Sequence, residues 1–460
     1  MVNDEPHDAD LPGIFRKLIW RLMPFLLIAM MINAIDRLNI SFAKLRMVQD
    51  IGLSDAAYGV GAGVFYLGYI LFEIPSNLYM QRVGARATLT RIMVLWGAVT
   101  VATAFVTTPT QLIAARFVLG MAEAGFFPGV MLYLTYWFPA ALRGRIVATF
   151  LISGVCAGIV CGPLAGAIMS HLHGWWGLRD WQMLFLLTGG PAVLLGVLGW
   201  YWLDDRPSDA RWLSAAQKQA LTTALVGEPA GGKASHGGFA QALRDPRMYL
   251  AGVVYFCIYS GSNTVSYWMP TLIRGFGLED LKTVGMVSAL PYVGAVIGMY
   301  LLGRSSDRHM ERRWHLALTM ATSALSFLLL GFVQGQMMLS VLLMSIGAAA
   351  ALSAVSLFWT VPPALLSPAA AAGGIAVISS MGNLAGVLSQ VMVGAIKTSS
   401  GSLYLAFDLI AAVLLLGAAA LLIGIPARCL HERRLGGAST RHEPTPMVGT
   451  GALPSAELRS

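Results

Sequence analysis

The sequence predicts an all-α membrane protein of twelve transmembrane helices in two six-helix halves. Three observations carry that expectation. Of 460 residues, 56% are hydrophobic and only 12% are charged, with a mean hydropathy of +0.67; soluble domains carry roughly 25% charged residues. Twelve apolar stretches approach the length that crosses a hydrocarbon core, about 20 residues of helix. One polar stretch, about 204–246, divides them six and six.

The elements follow in order. Residues 1–10 are acidic and polar and lack the basic start and small-residue cleavage site of a signal peptide, so the first span is expected to be retained. That span, 18–40, is interrupted by Asp36 and Arg37. Span two, 56–79, carries Tyr66, Tyr69, Glu73 and Asn77 at helical spacing, with Pro75 among them. Span three is 88–106, and span four, 110–134, contains Arg116 and Glu123. Span five, 145–170, repeats glycine at 154, 158, 162 and 166, and span six is 181–203. Then come Asp204-Asp205-Arg206-Pro207, a short amphipathic segment near 212–225, and a glycine-rich run over 227–238. Spans seven to twelve are 247–273, 284–302, 315–333, the Ala- and Ser-rich 337–358, 369–396 with Gly373, Gly374, Gly382 and Gly386, and 402–427. The expected divisions are therefore 1–203, a central loop 204–246, 247–428, and a tail 429–460 to which no role is assigned.

Orientation follows from basic residues in short loops, which favour the cytoplasmic side. With the N-terminus inside, that side holds Arg16, Lys17, Arg82, Arg86, Arg91, Arg143, Arg145, Arg304, Arg308, Arg312, Arg313, Arg428, Arg433 and Arg434. The outer side holds only Lys44, Arg46, Arg179, Arg274, Lys282 and Lys397. Both termini are expected to be cytoplasmic.

Several function classes are excluded on composition. The net charge of +8 is scattered between apolar runs and forms no nucleic-acid patch. Cys156, Cys161, Cys257 and Cys429 match no zinc-ligand spacing and read as small hydrophobes. His171 and His173 lack Cys or carboxylate partners at ligand spacing and read as exposed loop residues. No phosphate-binding loop of the P-loop form is present, and no constellation supports a membrane-embedded enzyme. No metal or cofactor is expected.

The intramembrane charges are the most informative residues. A charge near mid-membrane costs on the order of 2.5–3.5 kcal/mol on insertion scales, so it is kept where it faces a cavity, pairs, or moves ions. Glu123 lies about 13 residues into span four, roughly 20 Å along a helix rising 1.5 Å per residue. Desolvation at that depth disfavours a charged carboxylate. Such a carboxyl can load a proton from one side and release it to the other, or act as a neutral tie between helices. Arg116, seven residues earlier on the same face, has Gly120 between it and Glu123. Two roles are open to Arg116: pairing with Glu123 or an anion, or snorkelling to the outer interface. Asp36 and Arg37 point about 100° apart, with Asn39 on the Asp36 face and Asn33 on the Arg37 face; one side can meet a ligand while the other contacts a neighbouring span, or the two form a local salt bridge. Tyr66 and Tyr69 can hydrogen-bond a ligand's carboxylate or hydroxyl. Glu73 reads as structural, because Pro75 frees a backbone carbonyl that neighbours must satisfy. The second half is almost free of intramembrane charge. There Tyr259, Tyr267, Tyr292 and Trp359 read as packing, with Asn263 and Asn383 as the preferred ligand contacts.

A glycine-containing basic loop follows spans two and eight: Arg82-Val83-Gly84-Ala85-Arg86, and Gly303-Arg304-Ser305-Ser306-Asp307-Arg308 before Arg312-Arg313. The second copy resembles the inter-helix signature of the major facilitator superfamily, through Gly303, Asp307 and Arg308. In the first, Gln81 stands where the signature's acidic residue usually falls. Asp36-Arg37-Leu38-Asn39-Ile40, Glu73-Ile74-Pro75-Ser76-Asn77, and the span-four run from Arg116 through Gly120 and Glu123 to Gly129 resemble the anion:cation symporter family. So do Trp137-Phe138-Pro139, Asp205-Arg206-Pro207 and Ala210-Arg211-Trp212-Leu213. Thr188-Gly189-Gly190-Pro191 departs from the pattern, since many members carry a glutamate before Gly-x-Pro. The resemblance implies the major facilitator fold and proton-coupled symport of a small organic anion, a carboxylate, by alternating access. It implies Arg37 as the carboxylate anchor, Glu123 with Asp36 in proton coupling, and no cofactor. An anion exchanger or efflux carrier on the same fold is the alternative. The expected partners are the anion, the proton and the lipid bilayer of a bacterial cytoplasmic membrane, with the protein working as a monomer.

Overall fold

The computed structural model describes residues 11–226, 244–309, 311–365 and 368–425. The glycine-rich run 227–238, Cys429 and the tail 429–460 lie outside the described residues. The helices are α1 (Leu11–Asp50), α2 (Asp55–Val83), α3 (Ala85–Thr103), α4 (Pro109–Glu123), α5 (Phe126–Trp137), α6 (Ala140–His171), α7 (Asp180–Trp202) and α8 (Ala215–Val226). After the central segment come α9 (Pro246–Gly275), α10 (Leu281–His309), α11 (Arg313–Leu330), α12 (Met337–Phe358), α13 (Pro362–Leu365), α14 (Pro368–Ser400) and α15 (Tyr404–Gly424). Taking α4 and α5 as one broken span, the twelve expected spans all fall on these helices. Among the described residues nine spans are long and apolar enough to cross a membrane on length and composition alone. Spans three, seven and nine are helical too, with more polar residues along them. The outer surface is apolar, as a lipid-facing wall requires: Trp20, Ile74, Leu194, Leu416 and Ile423 are all exposed.

Local chemistry starts these helices where it should. Ser54 Oγ accepts from Ala57 N at 3.1 Å and Thr108 Oγ1 from Gln111 N at 3.3 Å, with Pro109 opening α4. Asp245 Oδ1 accepts from Arg247 N at 2.9 Å ahead of α9, again with proline next. At the start of α10, Asp280 accepts from Thr283 Oγ1 at 2.6 Å and Thr283 N at 2.9 Å; those bonds hold this exposed carboxyl below its ordinary range. Asp205 accepts from Arg86 N at 2.9 Å beside Gly84, whose φ of 100° ends α2 and turns the chain into α3.

Three elements differ from the sequence reading. First, α1 runs on to Asp50, so Lys44 and Arg46 are helical and Lys44 is buried, where a loop was expected. Second, α10 continues through His309, so Gly303, Asp307 and Arg308 lie on helix rather than in a loop. The polar side chains there leave the helix instead of ending it, and Asp307 pairs with Arg312 at 3.7 Å. Third, span four is broken at Ala124 and Gly125. Gly125 has φ 91°, and a Cβ there would meet Ser76 Cβ at 2.7 Å; Pro128 removes a donor from the following turn. Gly125→Ala is expected to lower the thermal midpoint measured in detergent, since it adds left-handed strain of about 1 kcal/mol to that overlap. An unchanged midpoint would mean that the break does not depend on this glycine.

Span two packs on span eleven (α2 on α14) and span five on span eight (α6 on α10). That is the pairing produced by exchanging spans one to six with seven to twelve. Small residues line both seams on the side away from the termini. A Cβ on Gly162 would overlap the Gly285 carbonyl, one on Gly166 would meet Leu281 O at 2.8 Å, and one on Gly63 would meet Val387 O at 2.8 Å. The same side is knotted by Lys44. Its ammonium lies 2.6 Å from Asp55, 3.2 Å from Thr271 Oγ1, and 3.9 Å and 4.6 Å from the Trp268 and Tyr58 ring centroids. Trp268 Nε1 donates to Gln390 Oε1 at 2.8 Å, and Tyr58 Oη to Tyr267 O at 2.7 Å. On the termini side a space lies between α6 and α10, lined by Ala148, Ile152, Tyr300 and Gly303.

Candidate functional site

Between the seams lies a central cavity of about 270 Å³. Arg37 and Tyr66 enter it from α1 and α2, and Leu151 and Gly154 from α6. From the other half come Tyr259, Asn263, Ser266 and Tyr267 on α9, Tyr292 and Met299 on α10, and Trp359 after α12. A vestibule of about 710 Å³ shares Leu151, Met299 and Ser356 with it and reaches Gly303, Arg304 and Asp307 on the termini side. The cavity is therefore sealed at the Lys44 knot and open toward the side that carries the termini.

The charges sit at its first-half wall. Arg37, its side chain 24% exposed, donates through Nε to Glu123 Oε1, and its Nη2 pairs with the same oxygen. Glu123 is fully buried at the last residue of α4, where the break in span four leaves it, and its Oε2 has no hydrogen-bond partner among the described residues. The sequence offered Arg116 as a partner for Glu123; the structure pairs Glu123 with Arg37 instead. Arg37 also lies 5.1 Å and 5.2 Å from the Tyr69 and Phe65 ring centroids.

Asp36 turns the other way. It accepts from Thr100 Oγ1 at 2.7 Å and Asn39 Nδ2 at 3.1 Å, and Asn39 also donates to Thr188 Oγ1 at 2.9 Å. The network ties α1 to α3 and α7. Thr188 thus has a use of its own in holding Asn39. Asp36 remains within electrostatic reach of Glu123 and Arg116.

Arg116 does not snorkel. It is 1% exposed, with its guanidinium over the Phe65 ring at 4.8 Å and Nη2 at 3.5 Å from Tyr267 Oη; Nε and Nη1 have no hydrogen-bond partner among the described residues. It stands behind Tyr267 and is absent from the cavity lining. Interior packing around Gly120, where a Cβ would meet Tyr69 N at 3.0 Å, draws α4 inward and closes the outward path.

Of the expected ligand contacts, Arg37, Tyr66 and Asn263 line the cavity. Tyr69, Arg116 and Asn383 are buried but do not. Tyr66 Oη donates to Asn263 Oδ1, joining the halves across the cavity. Tyr259, Tyr267, Tyr292 and Trp359, read as packing, instead form much of the wall. Their aromatic side chains were visible in the sequence; the gap between the halves that exposes them, on α9, on α10 and after α12, was not. Near Pro75 the backbone carbonyl of Glu73 accepts from Asn77 Nδ2 at 3.0 Å.

A family model described as Major Facilitator Superfamily matches residues 26–390. The chain belongs to the major facilitator superfamily. It is a multi-pass membrane transporter of the anion:cation symporter type, not an enzyme. It is 40% identical over 425 residues to the "Putative metabolite transport protein NicT" of Pseudomonas putida, covering 92% of this chain and 97% of that one. It is likewise 40% identical to a "Putative tartrate transporter" of Agrobacterium vitis, over 89% and 91% of the two chains. A "Quinolone resistance transporter" of Acinetobacter baumannii is 38% identical over 88% and 93%. The crystal structure of a D-xylose-proton symporter superposes with a TM-score of 0.71 at 16% identity, over 89% and 98% of the chains, a likeness of fold.

Proposed function

We propose that this transporter carries a small organic anion together with a proton by alternating access, in the cytoplasmic membrane of a bacterium, as a monomer with both termini inside. The observation that carries the reading is the ion pair of Arg37, facing the cavity, with Glu123, buried behind it. A guanidinium is suited to binding both oxygens of a carboxylate. While Glu123 is charged, it occupies Arg37. A proton on Glu123 cancels its charge and frees Arg37 for the substrate's carboxylate, so proton and anion load together. Asp36, linked electrostatically to Glu123, is the second protonatable group. Residues 1–203 and 247–428 are the two halves that rock about the site. On this reading the vestibule opens to the cytoplasm, and the relative named as a tartrate transporter supports a carboxylate cargo.

The test is accumulation of a panel of organic acids in proteoliposomes, with and without an inward proton gradient, in the parent and in Glu123→Gln. Protein-free vesicles correct for acids that cross lipid as neutral species. Gradient-driven accumulation of an acid is expected in the parent and its loss in Glu123→Gln, while non-accumulating exchange survives. Full accumulation in Glu123→Gln would move coupling to Asp36. No accumulation of any acid under the inward gradient would leave exchange or efflux, the reading that the quinolone-resistance relative favours; reversing the gradient separates those two, because only proton-coupled efflux responds to it.

A further inference from the structure

We propose that the central cavity selects acids bearing a single carboxylate on a planar aromatic ring, over dicarboxylates and polyhydroxy acids. The proposal rests on the reading of this cavity as an organic-anion site. Three features of the wall carry it.

The first is charge. Among the described residues, Arg37 is the only charged one lining the cavity, and Arg116 is shut off behind Tyr267 and Phe65. One carboxylate has a partner there. A second would be buried without one, which is strongly unfavourable. The second is hydrogen bonding. Tyr66 Oη is given to Asn263 Oδ1, Asn263 Nδ2 to Tyr259 O at 2.9 Å, Ser262 Oγ to Tyr259 O at 3.4 Å, and Ser266 Oγ to Ser262 O at 2.9 Å. Four donors of the wall, those of Tyr66, Asn263, Ser262 and Ser266, are thus committed to the protein. A chain of hydroxyls stripped of water would have to find a partner for every polar group among those that remain, a demand that an aromatic ring does not make.

The third is ring geometry. Tyr66, Tyr259, Tyr267, Tyr292 and Trp359 surround a space of about 270 Å³, near the lower end for small-molecule sites. Trp359 is held by Tyr255 at 4.9 Å and 62°, and Tyr255 in turn stacks on Phe358 at 4.7 Å and 22°. Tyr66 meets Tyr259 edge-on at 6.3 Å. Fixed rings of this kind favour offset or edge-to-face contact with another ring. A ligand anchored on Arg37 would extend its ring among them toward Trp359.

The experiment is ligand-dependent thermal stabilisation of the full-length carrier in detergent, using benzoate and 4-hydroxybenzoate against tartrate, gluconate and succinate. The ring acids are expected to raise the midpoint at concentrations where the others do not. Trp359→Leu is expected to raise the half-saturating benzoate concentration about five-fold, with Trp359→Phe within about two-fold of the parent. Stabilisation by tartrate, gluconate or succinate without benzoate would overturn the proposal and leave organic-anion transport standing. Ring acids that bind equally well to parent and Trp359→Leu would overturn the aromatic wall as the selecting element. No stabilisation by any acid overturns the proposal, and if vesicles also exchange none, the proposed function falls with it.

Discussion

Arg37→Gln is expected to abolish transport of every organic acid and to destabilise the protein by about 3–5 kcal/mol, toward the lower end because Arg37 is partly exposed. The reason is what it leaves behind. Glu123 is fully buried, one carboxylate oxygen already lacks a partner among the described residues, and the other would lose both its contacts with Arg37. Removing one member of a buried pair strands the other, whereas removing both costs little. The double variant Arg37→Gln, Glu123→Gln is therefore expected to recover most of the lost stability and none of the transport. Unfolding midpoints in detergent for the parent, both singles and the double complete the cycle. Equal losses in the single and the double would show that the two side chains do not act as a pair.

Asp55→Asn is expected to open the sealed side. Lys44 is buried, and among the described residues Asp55 is its one anionic partner; Trp268, Tyr58 and Thr271 complete the knot. Without the carboxylate, the ammonium regains a full water shell only if α1 and α2 part from α9. A penalty of about 3 kcal/mol on the closed arrangement changes the ratio of closed to open by roughly a hundred-fold. Spin labels at Val48→Cys and Glu279→Cys, both exposed positions, report the separation of the halves on this side. A longer distance in Asp55→Asn is expected. An unchanged distribution would mean that the glycine seams alone keep the side shut.

Much of the architecture was written in composition. Apolar length placed the twelve spans, because lipid imposes one requirement on every residue that faces it. Buried charge singled out Asp36, Arg37, Arg116 and Glu123 for the same reason. Pairing was not legible. Glu123 and Arg116 share a helical face, and only the approach of α1 gives Glu123 to Arg37 instead. The break at Gly125 also escaped the reading, since glycine and proline occur inside unbroken spans as well. The aromatic wall was misread because the difference between a packed tyrosine and a cavity tyrosine lies in how far apart two halves stand, a quantity carried by no single segment.

The open vestibule and central cavity have a consequence that reaches beyond any one side chain. At about 30 Å³ per molecule of liquid, their volumes of about 710 and 270 Å³ correspond to on the order of thirty waters. In the proposed cycle, closing this side drives that water out and opening the other admits a fresh charge of it. Turnover is then hydraulic as well as electrostatic. Solutes too large to enter the vestibule would favour the state that holds less water, making the carrier's resting posture a function of the osmotic pressure around it.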